Sequence, residues 1–165
     1  MGCFVMDRHH PDFLKARVMV TLFGGYFGSR LMSNIREDKG YTYGIGAGIV
    51  SYPGTGILTV STEAANEYVN SIITEVYREM DKLCNDLVPQ EELEMVKNYM
   101  LGDLCRSYEG PFSLSDAWIY IETVRAGRTL LYPFAGCHPG NHQRRNTHIG
   151  SKVFLQRKLN RGHCG

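Results

Sequence analysis

No acidic residue follows Glu122. Up to that point the chain holds 17 Asp and Glu against 10 Lys and Arg; beyond it there are eight bases and no acid, so the formal charge of +1 conceals two regions of opposite sign. Acids make up roughly an eighth of average residues, so chance produces an acid-free run of this length well under about one time in a hundred. Other absences are as informative. No uncharged apolar run reaches the eighteen or so residues of a membrane span. The opening "MGCFVMDRHH" lacks the basic start and apolar run of a secretory signal, and Met6 stands where a myristoylation pattern wants Ser or Thr. The expected setting is therefore cytoplasmic, without a membrane partner. Five cysteines, Cys3, Cys84, Cys105, Cys137 and Cys164, form no CxxC pair and read as reduced thiols.

Sites for common chemistries are also missing. There is no HxxEH and no HxxxH with a nearby acid. His9 and His10 precede Pro11 with no helix under them to align two ligands, so they read as surface imidazoles. Cys137, His138 and His142 offer a nominal ligand set, but one embedded in the unusual basic stretch. No metal or cofactor is expected on this chain. "GIGAG" at 44–48 resembles a dinucleotide loop only in letters, because that loop needs a strand before it and a helix after it, and here the order is reversed. No Ser/His/Asp or Cys/His set emerges from spacing, and Glu91, Glu92 and Glu94 read as the solvated first turn of a helix.

What is present is a run of patterned elements. "PDFLKARVMVTLFGG" predicts a well-buried helix, with Pro11 at its first position and Gly24 and Gly25 at its end. "GSRLMSNIRED" predicts a shorter one, with Leu31, Met32 and Ile35 on one face, Arg30, Asn34 and Arg36 off it, and Gly40 as its stop. "YTYGIGAGIVS" and "GILTVST" predict a hairpin around Pro53-Gly54, a type II turn signal. The first of these strands is glycine-rich at Gly44, Gly46 and Gly48, a pattern that often marks a backbone approaching closely. Val69, Ile72, Ile73, Val76, Met80 and Leu83 follow the helical period. "VPQEELEMVKNYMLGDLCRSY" and "PFSLSDAWIYIETVRAG", closed by Gly127, complete the helices. This order predicts an α+β fold, a mostly antiparallel sheet with helices packed on one face.

Arg36 and Tyr43 stand out from this background. Pattern alone leaves two readings open: a surface arginine and a sheet-packing tyrosine, or a pair of donors for a ligand. A guanidinium offers fixed, always charged donors to a carbonyl or oxyanion, and a phenol at a strand start adds one more. Two donors on a peptide carbonyl would hold a substrate or stabilise a tetrahedral intermediate. Neighbouring glycines would let an extended peptide lie along the sheet edge.

The stretch from residue 129 to 165 has its own explanation. Permitted codons for "SKVFLQRKLNRGHCG", read one base later, spell "AKYFCKENSIEVIAG", and "CHPGN" yields "VTPE". The shifted text has a helix start after Pro and a terminal alternating strand. The stretch therefore reads as an aberrant basic tail translated out of frame, following a domain spanning 1–128; a genuine basic tail that binds nucleic acid is the alternative.

"LFGGYFGSRLMSNIREDKGYTYGIGAG" resembles the signature of the second half of insulinase/pitrilysin-type (M16) zinc metallopeptidases. The flanking "HHPDFLKARVMVTLFGG" and "LVPQEELEMVKNYMLGDL" match the run of helices in that family, and the resemblance covers Asp7 to Gly127. The shifted tail text looks like its usual ending. The resemblance implies a clamshell of two homologous halves. One carries HxxEH and a distal glutamate, which bind zinc and activate water. The other, non-zinc half supplies an Arg and a Tyr seven residues apart that contact substrate, at positions matching Arg36 and Tyr43. On this resemblance the chain would not cleave peptides alone. It would act with an HxxEH-bearing half, fused or separate, on a peptide substrate. A catalytically inert assembly domain of the same fold, as in respiratory-complex core subunits, is the rival. The departures are the missing zinc half, a first strand reduced to "GCFVM", and the altered ending.

Overall fold

The computed structural model describes residues 1–124, with side chains through residue 119. Strand β1 (Gly2–Val5) is followed by helix α1 (Phe13–Val20), a π-helical turn over Thr21–Gly25, and a second π-helical segment over Met32–Asp38. Then come β2 (Thr42–Tyr52), β3 (Thr55–Ala64), and the helices α2 (Val69–Asn85), α3 (Gln90–Arg106) and α4 (Pro111–Val124). The tail from 129 to 165, the proposed Gly127 stop, and Cys137, His138 and His142 lie outside the described residues. Cys3, Cys84 and Cys105 carry no disulfide, and burial raises the Cys84 thiol pKa, with Asp81 adding to the shift.

The three strands form an antiparallel sheet in the order β1-β3-β2. The opening segment pairs with β3: Gly2 to Val5 run against Thr59 to Gly56. In β3, Gly56, Leu58 and Val60 are buried while Thr59 is exposed, the period of a half-buried strand. The β2–β3 connection is Pro53-Gly54, and Gly54 takes φ 78°, as the second central residue of a type II turn requires. One core joins the layers. Ala16, Met19, Leu22 and Phe23 from the first helical stretch pack with Leu31 and Ile35, with Leu58 and Val60, with Ile72, Val76, Met80 and Leu83 of α2, and with Leu93, Val96 and Met100 of α3.

Two predicted helices change winding. The first is α-helical only to Val20 and widens into a π-turn at Thr21–Gly25, and the second is π-wound from Met32 to Asp38. The physical reason at the first is contact. A Cβ on Gly24 would stand 2.7 Å from the Cβ of Ala47 and 2.8 Å from its backbone nitrogen, so the turn presses its backbone onto β2. At the second, the wider turn closes through nested bonds. The Gly40 N–H donates to the Arg36 carbonyl (3.2 Å), the Tyr41 N–H to the Ile35 carbonyl (3.0 Å), and Gly40 takes φ 64°.

Candidate functional site

The site is built from the turn 26–30, the π-helical segment and the start of β2. Arg36 lies on the π-helical segment, and its side chain keeps 28% of its surface exposed. Gly40 then redirects the chain into β2, where the pairing slips. Thr42 faces Ala64 and Ile45 faces Thr62, so Tyr43 and Gly44 oppose Glu63 alone. Such a β-bulge bends its strand and re-aims a side chain. It is held by the Thr42 hydroxyl, which lies 2.6 Å from the Glu63 carbonyl and 2.9 Å from the Thr62 hydroxyl and accepts the Gly44 N–H at 3.2 Å. The Tyr43 ring is 90% exposed, with the Arg36 guanidinium carbon 5.7 Å from its centroid. The structure thus brings the two residues together. It adds one that the sequence reading missed: Phe27, whose ring centroid is 4.5 Å from the same carbon.

The charge of Arg36 is barely neutralised. Its nearest ion-pair contact is Glu37 at 4.0 Å. Arg30, six residues earlier, is held differently, by two 2.8 Å bonds to Glu92, which raise its pKa. Glu92 is therefore not part of a purely solvated first turn, as predicted; it ties α3 to the turn before the π-helical segment, while Glu91 and Glu94 are exposed.

Asn34 and Lys39, on either side of Arg36 in sequence, join a charged network around two buried carboxylates that the sequence did not announce. Glu75 and Glu79 of α2 are only 8% and 5% exposed. The Asn34 side-chain amide donates to Glu75 (3.1 Å) and Glu79 (2.8 Å), and Lys39 donates to Asn34 Oδ1 (2.5 Å) and pairs with Glu75 (2.9 Å). Arg78 pairs with Glu75 (3.0 Å) and Lys82 with Glu79 (2.6 Å). The hydrogen bond from Lys39 is the largest influence on Glu75 and lowers its pKa, helped by Asn34 and Arg78 and opposed by burial. Asn34 and Lys39 flank Arg36 in sequence, so α2 grips the π-helical segment from both sides of the residue it displays. Two clefts, of about 280 and about 490 Å³, are lined by neither Arg36 nor Tyr43; the larger lies over this network. Among the described residues no group of three or more His, Cys, Asp and Glu could hold a metal ion, and His9 and His10 are exposed. No described helix is long and apolar enough to cross a membrane.

An antiparallel sheet backed by helices, with Arg36 and Tyr43 side by side, defines the class: an α+β fold. The chain belongs to the family described as "Peptidase M16 inactive domain", whose profile matches residues 1–100. It is 30% identical over 109 residues to the uncharacterised zinc protease YmxG of Bacillus subtilis, covering 66% of this chain and 27% of that one. An uncharacterised zinc protease of Rickettsia felis is 26% identical over 95 residues, covering 58% and 23%. The chain thus spans about a quarter of the length of the curated relatives it matches. Among solved structures, a peptidase M16 inactive domain from Pseudomonas fluorescens superposes with a TM-score of 0.80 at 20% identity, over 92% of this chain and 36% of that one. A chain of complex III from Candida albicans gives 0.71 at 15%, over 92% and 38%. These likenesses establish the fold.

Proposed function

We propose that this chain is the substrate-binding, non-catalytic half of an M16-type zinc metalloendopeptidase. The observation that carries the reading is the convergence of Arg36 and Tyr43, the first nearly un-neutralised and the second 90% exposed. In this role the Arg36 N–H groups and the Tyr43 hydroxyl donate to a backbone carbonyl of an extended peptide, and strengthen those bonds as the carbonyl acquires negative charge. Zinc, which supplies the activated water, belongs to an HxxEH-bearing half, fused or separate. This chain's part is to bind and orient. The glycine run supports close approach of a peptide, since a Cβ at Gly44 or Gly48 would meet nothing within 4 Å, so internal packing does not require glycine there. A cytoplasmic setting is part of the proposal.

Mixing this chain with an HxxEH-bearing M16 half tests the reading. Hydrolysis of an unstructured peptide that needs both chains and stops on chelation is expected; no hydrolysis by the pair contradicts it. The second reading, an inert assembly domain, is favoured by the fold likeness to a complex III chain and predicts a stable complex with no hydrolysis. Nucleic-acid binding through the basic tail predicts binding that weakens steeply with salt. Nothing among the described residues favours it.

A further inference from the structure

We propose that Phe27 is a positioning residue for Arg36, one that holds the guanidinium in place without cancelling its charge. The proposal rests on the reading of Arg36 and Tyr43 as peptide donors. An arginine can be fixed by an acid or by an aromatic face. Arg30 and Arg78 are fixed by acids, Glu92 and Glu75. A bidentate carboxylate occupies in-plane N–H groups and neutralises the charge, so an arginine held that way has less to offer a ligand. An aromatic ring attracts the cation through its π face and leaves the in-plane donors available. Arg36 is held the second way, with Phe27 at 4.5 Å, Tyr43 at 5.7 Å and its acidic neighbour Glu37 only at 4.0 Å.

The place of Phe27 is fixed by its neighbours. Its ring is 62% exposed, so the core does not require it. The turn that carries it is pinned on both sides. Tyr26 stacks on Tyr99 of α3 with centroids 4.9 Å apart, the Ser29 N–H donates to the Tyr26 carbonyl (3.1 Å), and Arg30 is locked to Glu92. An exposed apolar ring on a braced turn, set against a cation, is accounted for by what it does to that cation.

The test uses the full chain labelled with nitrogen-15. The Arg36 Nε–Hε resonance, assigned by its loss in Arg36→Lys, reports the ring current of Phe27. Affinity for a fluorescein-labelled unstructured peptide is measured alongside. Phe27→Leu is expected to move the resonance and weaken peptide binding about 2- to 5-fold, the range of an exposed cation–π contact. Phe27→Tyr should restore both, and neither variant should change the melting temperature. An unmoved resonance in Phe27→Leu, or a moved resonance with unchanged affinity, overturns the proposal. Unchanged affinity in Arg36→Ala instead overturns the peptide-binding reading, while the resonance still reports whether Phe27 holds Arg36.

Discussion

At the scale of single residues, the proposed peptide contacts and the core involve different side chains. The Tyr43 hydroxyl contributes nothing to the core, so Tyr43→Phe should leave the urea midpoint unchanged, within about 0.5 kcal/mol, while weakening peptide binding. Gly24→Ala should do the reverse of this at the fold level. Its new Cβ would meet Ala47 backbone and side chain, neither of which can swing away, so a loss of about 1–3 kcal/mol in the urea-derived stability is expected. Pattern alone leaves Arg36 and Tyr43 open between a surface pair and a donor pair, and the family resemblance singles them out; the structure shows that they lie side by side. Phe27 was not legible. Its contact with Arg36 crosses a turn, and an aromatic between Tyr26 and Gly28 carries no local pattern that pairs it with a cation.

At the scale of elements, the π-helical segment carries the proposed donor Arg36, and α2 anchors that segment. Asn34→Ala removes the amide that bridges Glu75 and Glu79, whose oxygens keep Lys39 and Lys82; a loss of about 0.5–1.5 kcal/mol is expected in chemical denaturation. The same network sets a pH dependence. The folded-state pKa of Glu75 is lowered, chiefly by Lys39, so its stabilisation is fully present above the unfolded carboxylate value of about 4.3 and is lost as pH falls through the lower folded value. Lys39→Met should therefore move the acid-unfolding midpoint to higher pH, as followed by circular dichroism. The hairpin, the α2 stripe and the helix order were readable because each follows a local period or turn chemistry. The burial of Glu75 and Glu79 was not, because Asn34 and Lys39, which help make it tolerable beside Arg78 and Lys82, lie about forty residues away in sequence. Nor was the bulge at Tyr43, which is set by a Thr42–Thr62–Glu63 arrangement across two strands.

At the scale of the whole molecule, the chain has the fold and family of the inactive M16 half, and a partner that brings the metal belongs to the proposed function. The central claim is that these two side chains grip the peptide during zinc-dependent cleavage. The most direct measurement is kcat/KM of the pair formed with an HxxEH-bearing half, using wild type, Arg36→Ala and Tyr43→Phe. Removing one donor to a developing oxyanion should cost on the order of 10²-fold, with the complex still forming and zinc content unchanged. Full activity in both variants would contradict the account.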